Sequence, residues 1–276
     1  MKPSRFYYVR ADDVESALKL SRQSSGVKII AGGQSLGPML NLRLVQPEVL
    51  VDITAIEDLK RADAGKESLF IGSCITHADV EDGRIPDVTN GALPAVASGI
   101  AYRAVRNRGT IGGSLVHADP AADWISALSA LGASVVIRGA SGTRRLPVEQ
   151  FIVGVFETQL GDGEMLTGVD VPRHSPNSRW GYYKLCRKTG EFAHAVGAFH
   201  DDRDRGVCRA IIGATAGAPI LMTERSRLFG GKEAAAGSLD EGYVRQRMTA
   251  AGLTDVIEQS IRVTALRRAV ARAVPA

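Results

Sequence analysis

The sequence predicts an α+β fold with a two-lobed domain over residues 1–175 and a smaller domain over residues 176–276. In the first domain, segments with strand character alternate with helix-like segments, and a compact first unit closes near Thr54. The stretch 173–178 is polar and rich in turn formers, which is typical of a domain boundary. Beyond it, three strand-like segments precede three helix-like segments, which favours a three-stranded antiparallel sheet with helices. The lobes of the first domain are predicted at about 1–54 and 55–175.

The first lobe is predicted to contain short strands rich in β-branched and aromatic residues. These strands are 6–9, 27–31 and 49–53. Between the first two, Asp12 or Asp13 is placed to cap the N-terminus of a helix. Val14, Leu18 and Leu20 supply the apolar face of this helix.

The second lobe is predicted to combine two hairpins and a closing strand with several helices. Its strands are 59–62, 68–74, 133–138, 143–146 and 164–171; its helices begin at Thr76 and span 94–107 and 121–131. The helix at 94–107 is amphipathic, with Val96, Ile100 and Val105 toward the core. Its basic end complements the helix dipole, and contact with a cofactor or partner is the alternative role for the arginines there. These arginines are Arg103, Arg106 and Arg108.

The smaller domain is predicted to have strands at 179–186, 195–200 and 207–214, then helices at 224–229, 240–251 and 255–274. In the last helix, Val256, Ile257, Ile261 and Val270 are expected to face inward. A basic outer face is expected to be solvated, with partner docking as the second role. That face comprises Arg262, Arg267, Arg268 and Arg272.

Composition indicates an ordinary globular protein. The chain has 276 residues, of which 45% are hydrophobic and 23% charged, and a net charge of +4 is too small to indicate nucleic-acid binding. The N-terminus lacks an apolar signal-peptide region, and no apolar run approaches the roughly 18 residues that a membrane helix needs. We therefore expect a cytoplasmic protein with no membrane span and no nucleic-acid partner.

The cysteines exclude several metal sites within this chain. Cys74, Cys186 and Cys208 are far apart and form no C-x-x-C pair, so they cannot supply a four-thiolate cluster by themselves. We expect buried or half-buried free thiols and no metal site.

A glycine turn follows the second predicted strand. The run from Ile29 to Pro38 reads Ile-Ile-Ala-Gly-Gly-Gln-Ser-Leu-Gly-Pro, a pattern of strand, tight turn and helix start. Adjacent glycines allow a positive φ and a close approach of backbone N–H groups to an anionic oxygen. Gln34 and Ser35 add side-chain donors beside a helix N-terminus. A plain turn is the alternative interpretation.

A second glycine turn repeats this chemistry. Thr110 to Leu115 reads Thr-Ile-Gly-Gly-Ser-Leu, again a double glycine followed by a hydroxyl. Two such turns suit the two phosphates of a dinucleotide, each held by backbone N–H groups. Neither turn matches G-x-G-x-x-G or the P-loop pattern, which disfavours the ordinary Rossmann and P-loop folds.

Together with their flanks, the two motifs resemble a known family. The first turn with Leu42-Arg43, and the run 105–114 leading into Ala118-Asp-Pro-Ala-Ala-Asp123, look like the medium, FAD-binding subunit of molybdenum hydroxylases. That family includes carbon monoxide dehydrogenase, xanthine dehydrogenase and dehydrogenases of aromatic N-heterocycles. The segments 163–166, 169–172, 183–187 and 190–193 extend the resemblance over nearly the whole chain.

The resemblance implies a flavin domain of the vanillyl-alcohol-oxidase or PCMH type and an FAD cofactor. It places Asp123 at a ribose hydroxyl, although Asp123 is also a candidate N-cap of the next helix. It brings the backbone of Leu166 to the cofactor and Lys184 to the flavin ring; the alternatives are a surface lysine at 184 and a core residue at Phe192. The residues assigned to FAD are Ile30, Ala31, Gly32, Gly33, Gln34, Ser35, Leu36, Thr110, Ile111, Gly112, Gly113, Ser114, Asp123, Leu166, Lys184 and Phe192.

The resemblance also implies partners. Hydroxylation takes place at a molybdenum cofactor in a large subunit, and two [2Fe–2S] clusters in a small subunit pass electrons to FAD, in a dimer of heterotrimers. The terminal acceptor is not implied. No catalytic residue is expected in this chain, since the flavin carries the redox chemistry. His77 and His117 fit no metal or triad pattern.

Two positions depart from the usual family pattern. Gln34 stands where many members have His, and Ser114 stands where many have Asn. The Gln/Ser pairing resembles that of enzymes acting on aromatic N-heterocycles, which suggests such a substrate. Two alternative functions stay open from sequence. One is a self-contained FAD oxidoreductase of the same superfamily; the other is a cofactor-free scaffold or a nucleotide-binding regulatory module.

Overall fold

The structure, a computed structural model, describes residues 1–24 and 26–274 and has the predicted α+β class. The strands are β1 Tyr7–Arg10, β2 Val27–Ile30, β3 Val49–Asp52, β4 Ala62–Ala64, β5 Ser68–Gly72, β6 Ser134–Gly139, β7 Gly142–Pro147, β8 Ile152–Gly154, β9 Glu157–Thr158, β10 Met165–Pro172, β11 Arg179–Leu185, β12 Ala195–Asp202, β13 Val207–Gly213 and β14 Ile220–Met222. The α-helices are α1 Val14–Ser21, α2 Leu36–Asn41, α3 His77–Glu81, α4 Ala92–Ser98, α5 Arg103–Arg106, α6 Ile111–His117, α7 Asp123–Ala130, α8 Val148–Phe151, α9 Arg225–Leu228, α10 Glu241–Ala250 and α11 Val256–Ala273.

The first lobe is a three-stranded parallel sheet in the order β1-β3-β2. Asp13 is the N-cap of α1, and its carboxylate accepts from the backbone N–H of Ser16 at 2.7 Å. Leu18 is buried against the sheet, while Val14 and Leu20 are partly buried beside it, so the predicted apolar face is confirmed. Because the strands are parallel, β2 and β3 end at the same edge, and the first glycine turn begins there.

The second lobe is a five-stranded antiparallel sheet in the order β4-β5-β10-β6-β7. The predicted closing strand, β10, occupies the centre of this sheet. Trp124 and Phe151 are fully buried in its core, together with the apolar side chains of β5, β6 and β10. The core of the second lobe supports α6, the helix that begins at the second glycine turn.

The long helix predicted at 94–107 is wrong. The chain forms α4 and α5 instead, and Ala101 between them has a φ of +43°, a conformation that a continuous helix forbids. The break is stabilised by tertiary hydrogen bonds, because the Arg106 guanidinium donates to the carbonyls of Ile100 and Ala101 at 2.9 and 3.0 Å. Val105 is half-buried as a result.

The smaller domain contains the three predicted strands and a fourth short one, in the order β11-β12-β13-β14. Helix α11 lies directly on this sheet. A Cβ on Gly181 would lie 2.0 Å from the Ala269 carbonyl oxygen, and a Cβ on Gly197 would lie 2.5 Å from the Ala265 backbone. These glycines therefore set the distance between sheet and helix.

The predicted orientation of α11 is only partly right. Val270 is buried, but Val256 and Ile257 are 70% and 71% exposed. Arg262 is buried rather than exposed, because its guanidinium donates to the Ala214 carbonyl at 2.6 Å and pairs with the Glu258 carboxylate. Among the described residues, no helix is both long and apolar enough to span a bilayer. The cytoplasmic location stays a prediction.

Candidate cofactor-binding cleft

The first glycine turn presents unpaired backbone donors. Gly33 has a φ of +70°, which only glycine adopts easily, and this conformation turns the chain from β2 into α2. Among the described residues, the N–H groups of Gly33, Gln34 and Ser35 find no internal acceptor, and the Ser35 side chain makes no capping bond. The Gln34 amide donates to the Gly32 carbonyl at 3.2 Å. These backbone donors are therefore available to an acceptor from outside the chain.

The second glycine turn is arranged differently. It forms the first turn of α6, with Thr110 as N-cap, and the Thr110 hydroxyl accepts from the Gly113 N–H at 3.0 Å. The N–H groups of Ile111, Gly112 and Ser114 also have internal acceptors. The prediction that this turn offers free backbone N–H groups is therefore wrong, because the second lobe already uses them. The side chains of Thr110 and Ser114 are the groups left for a ligand.

The two turns touch each other. A Cβ on Gly32 would lie 1.9 Å from the Arg108 carbonyl oxygen, so the first turn packs on the segment that leads into the second. Gly112 likewise packs on Ser73, because a Cβ on Gly112 would lie 2.4 Å from the Ser73 Cβ. Thr76 and Thr110 form an antiparallel bridge next to this contact. One glycine of each pair therefore serves close packing between segments.

His77 has a structural role beside the second turn. Its backbone N–H donates to the Gly109 carbonyl at 2.9 Å, and its ring Nδ1 accepts from the Trp124 indole at 3.0 Å. Burial, assisted by the charge of Arg106, lowers the pKa of His77 to about 4. The imidazole is therefore neutral at pH 7, and it holds the segment before Thr110 in place.

Lys184 and Asp123 form a buried ion pair, with an Nζ–Oδ2 distance of 2.8 Å. Tyr182 donates its hydroxyl to the other oxygen of Asp123 at 2.7 Å, and Lys184 also donates to the Gly99 carbonyl at 3.2 Å. The Lys184 side chain is 11% exposed, which excludes the surface lysine considered from sequence. Asp123 is the first residue of α7 and makes no capping bond, so its predicted role as N-cap is wrong; the N-cap is Ala122. Its bond to a ribose hydroxyl stays a prediction.

The loop between α4 and α5 lies beside this ion pair. Its Gly99 carbonyl binds Lys184, and its Ala101 carbonyl packs against Gly190, where a Cβ would lie 2.6 Å from the oxygen. Gly190 has a φ of +89° and precedes Phe192, which is 68% exposed and therefore not a core residue. The loop 99–102 and the segment 186–193 thus meet next to Lys184.

Leu166 and His117 occupy two other positions on the second lobe. Leu166 is buried in β10 opposite Ile137, at a register shift that ends at Gly168. His117 ends α6, with its ring 5.0 Å from the ring of Phe156. Its contact is aromatic, and within the described residues it belongs to no group of metal-ligating side chains.

An open cleft of about 540 Å³ is lined by residues of both lobes, including Gly32 and Arg108 at the contact between the turns. Of the residues assigned to FAD, it is lined only by Gly32 and Thr110, and its basic lining comes from Lys60, Arg84 and Arg108. This cleft therefore does not collect the predicted residues into one pocket.

Sequence reasoning missed Tyr182 and the loop 99–102, and it named Arg106 without its bonds to this loop. The signal for Tyr182 was its spacing of two residues from Lys184 on a predicted strand, which places both side chains on one face. No local signal marked the loop, because its position also depends on the distant contacts of Gly99 with Lys184 and of Ala101 with Gly190.

Residues 4–174 match the family described as FAD binding domain in molybdopterin dehydrogenase. Subunit alpha of the 6-hydroxypseudooxynicotine dehydrogenase complex of Paenarthrobacter nicotinovorans is 38% identical over 194 residues, which covers 70% of this chain and 66%, just under two thirds, of that relative.

Two solved structures are similar over nearly the full length. Carbon monoxide dehydrogenase from Hydrogenophaga pseudoflava has a TM-score of 0.85 at 30% identity, covering 99% of this chain and 98% of that one. Quinoline 2-oxidoreductase from Pseudomonas putida 86 has a TM-score of 0.84 at 28% identity, with coverage of 99% and 98%.

Proposed function

This chain belongs to the family of FAD-binding domains of molybdopterin dehydrogenases, so FAD is its cofactor, and we propose that it is the electron-transfer subunit of a multi-subunit molybdenum hydroxylase. In this role it takes electrons from two [2Fe–2S] clusters of a small partner subunit and passes them to an external acceptor. A large partner subunit carries the molybdenum cofactor and the substrate. The bound flavin supplies the redox chemistry, while this chain binds the flavin and adjusts its potential.

The observation that carries the proposal is the first glycine turn. A diphosphate carries about two negative charges and requires several convergent donors when it leaves water. Within the part of the chain that the structure describes, the N–H groups of Gly33, Gln34 and Ser35 lack internal acceptors; they lie at a helix start, so they fit such a group. In the second turn, the hydroxyls of Thr110 and Ser114 bind FAD in place of backbone N–H groups.

Lys184 acts at the flavin ring. A cation near the pyrimidine edge of a flavin stabilises the negative charge of its reduced form. Lys184 suits this role because its side chain is largely buried and fixed by two oxygen acceptors. Phe192, exposed next to Gly190, contacts the same ring, and the backbone of Leu166 contacts another part of FAD.

The first test is purification from the native host, with a visible absorption spectrum and a gel of the accompanying chains. We expect flavin bands, iron–sulfur absorbance and two further chains, and a mass equal to twice the sum of the three chains. Flavin on a single chain with its own substrate turnover would instead indicate a self-contained oxidoreductase. A colourless protein that takes up no FAD would contradict the proposal altogether.

The substrate of the complex is a small N-heteroaromatic compound. Support comes from Gln34 and Ser114, and from the likeness to quinoline 2-oxidoreductase. The purified complex should reduce an artificial electron acceptor with quinoline-type substrates and not with carbon monoxide. Turnover with carbon monoxide alone would contradict this substrate class while leaving the role of the flavin subunit intact.

A further inference from the structure

Asp123, Tyr182 and Lys184 form a buried cluster in which the tyrosine hydroxyl and the lysine ammonium each bind one oxygen of the carboxylate. Tyr182 Oη donates to Asp123 Oδ1 at 2.7 Å, and Lys184 Nζ lies 2.8 Å from Asp123 Oδ2. Asp123 is 7% exposed, and Lys184 is 11% exposed. A carboxylate buried to this degree is stable only when both oxygens have partners, and each oxygen here has one.

The backbone brings the group together from two elements. Tyr182 and Lys184 are two residues apart on β11, so their side chains leave the same face of the sheet. Asp123 begins α7, whose positive N-terminal dipole favours a negative side chain in its first turn. The Lys184 ammonium also donates a hydrogen bond to the Gly99 carbonyl, at 3.2 Å.

The chemistry of each member is set by burial. Burial raises the pKa of Asp123, and the Lys184 ammonium and the Tyr182 hydroxyl act against that rise. Burial and the Asp123 carboxylate raise the pKa of Tyr182 well above its usual value, so its hydroxyl stays a donor throughout the physiological range.

We propose that Tyr182 is a positioning residue for Lys184, acting through Asp123, so that the lysine charge is held at one place beside the flavin. This inference rests on the proposed function, in which Lys184 serves the flavin ring. The Tyr182 hydroxyl fixes one oxygen of Asp123 and takes up part of its negative charge. The other oxygen then holds Lys184 in one orientation and offsets less of its charge than a carboxylate without the tyrosine hydrogen bond would.

Tyr182→Phe removes the hydroxyl and keeps the ring that packs between the two domains. Among the described residues, Asp123 then has Lys184 as its only side-chain partner, so the carboxylate attracts the ammonium more strongly and leaves less net positive charge near the flavin. We expect the midpoint potential of the bound flavin to move downward, in the same direction as in Lys184→Gln but by a smaller amount.

Tyr183→Phe is the matched control. Tyr183 is adjacent on β11 and points to the opposite face, where the guanidinium groups of Arg268 and Arg272 each lie 4.9 Å from its ring centroid. The variant loses one phenolic hydroxyl on the same strand, but on the face that points away from Asp123. The flavin potential of Tyr183→Phe is expected to equal that of the wild type.

A second measurement does not depend on bound FAD. The purified chain is stripped of cofactor and labelled briefly with an amine reagent, and mass spectrometry compares Lys184 with the exposed Lys188 as internal reference. Labelling of Lys184 should fall about tenfold in Tyr182→Phe, because the Asp123 carboxylate loses a hydrogen bond from the tyrosine and then binds the Lys184 ammonium more tightly, which withholds it from the reagent. It should stay at the wild-type level in Tyr183→Phe.

The outcomes separate this inference from the proposed function. A wild-type potential and wild-type labelling of Lys184 in Tyr182→Phe would overturn the positioning role, and a shifted potential in Lys184→Gln would still support the proposed function. An unchanged potential in Lys184→Gln would overturn both the role of Lys184 at the flavin and this inference. If no variant and no wild-type chain binds FAD, the proposed function fails, and the labelling decides whether Tyr182 positions Lys184.

Discussion

Two glycine pairs that look alike in the sequence have different roles at the residue scale. In the first pair, Gly32 allows the turn to pack on the Arg108 carbonyl, and Gly33 supplies the positive φ. In the second pair, Gly112 allows α6 to pack on Ser73, and Gly113 remains exposed. Of the two turns, the first alone has backbone N–H groups without an internal acceptor in residues 1–24 and 26–274.

Gly33→Val should abolish FAD retention. A β-branched residue at a φ of +70° is strained, and its side chain would occupy the space over the exposed N–H groups of the turn. The destabilisation should be about 2 kcal/mol, too little to unfold a typical domain. The measurements are the FAD-to-protein ratio after gel filtration and the melting temperature.

Gly37→Ala in the same segment is the control for this variant. Nothing lies within 4 Å of a Cβ at Gly37, so this variant should keep FAD and fold at least as stably as the wild type. Gly113→Val is expected to lose FAD as well, because its Cβ would lie 2.9 Å from the Thr110 hydroxyl. Stoichiometric FAD in Gly33→Val would show that the turn does not hold the diphosphate.

At the scale of elements, the loop 99–102 is held by a neighbouring helix. Arg106 on α5 donates to the carbonyls of Ile100 and Ala101 and pairs with Glu81 on α3 at 2.7 Å. The Gly99 carbonyl of this loop accepts a hydrogen bond from Lys184. A contact between α3 and α5 is therefore linked to the lysine assigned to the flavin.

Arg106→Gln should weaken FAD binding and destabilise the chain by about 3 kcal/mol. The Arg106 side chain is 12% exposed, and its loss leaves Glu81 and two loop carbonyls without their main partner. Arg103→Gln is the control, because Arg103 is 46% exposed and also pairs with Glu81. Loss of this exposed ion pair should lower the free energy of unfolding much less than Arg106→Gln does. Equal effects of the two variants on denaturant unfolding and FAD titration would contradict the role of the loop.

A second prediction at this scale concerns α11, which lies directly on the sheet of the smaller domain. Gly197→Ala should destabilise the smaller domain by about 3 kcal/mol, because its Cβ would lie 2.5 Å from the Ala265 backbone and α11 would have to move. Gly217→Ala, with its nearest neighbour at 3.8 Å, should be close to neutral. Thermal unfolding of both variants provides the comparison, and a neutral Gly197→Ala would mean that α11 is held elsewhere.

At the scale of the whole molecule, two buried histidines join the domains. His174, in the segment after β10, stacks on His200 of β12 with ring centroids 3.9 Å apart, and neither ring has a hydrogen-bond partner among the described residues. Burial lowers the pKa of both, that of His200 to about 3. The charged groups acting on the pair are Asp87, Asp202, Arg205 and Arg209.

Acid should therefore destabilise the chain through this junction. In the unfolded chain each histidine binds a proton near pH 6.5, but folded His200 binds one only near pH 3. Between these values the unfolded state binds more protons, so stability falls as the pH decreases through this window and is unaffected above pH 7. The loss attributable to His200 should be on the order of 3 kcal/mol between pH 7 and pH 4.

His200→Phe removes this contribution while keeping a ring for stacking. Its loss of unfolding free energy between pH 7 and pH 4 should be smaller than that of the wild type, as measured by urea denaturation at each pH. His194→Gln, at an exposed position, should follow the wild-type curve. An identical pH dependence in His200→Phe and wild type would show that His200 is accessible to protons in the folded chain.

The sequence by itself determined the elements whose signals are local. The glycine turns, the cap at Asp13, the hairpin at 134–147 and the three long strands of the smaller domain follow from residue type and spacing, because φ preferences, capping and alternation act over a few residues. The same motifs identified the family, and the match over residues 4–174 confirmed that identification. The domain boundaries stay a prediction.

Only the tertiary structure decided what those local features do. The predicted helix ends before Ala101, whose carbonyl binds Arg106, and Arg262 is buried with its guanidinium on the Ala214 carbonyl. The N–H groups of the second turn bind acceptors within the chain, and Tyr182 and Lys184 bind Asp123. The physical reason is that each buried polar group must find a partner, and for Arg262, Asp123 and two N–H groups of the second turn that partner lies far away in the sequence.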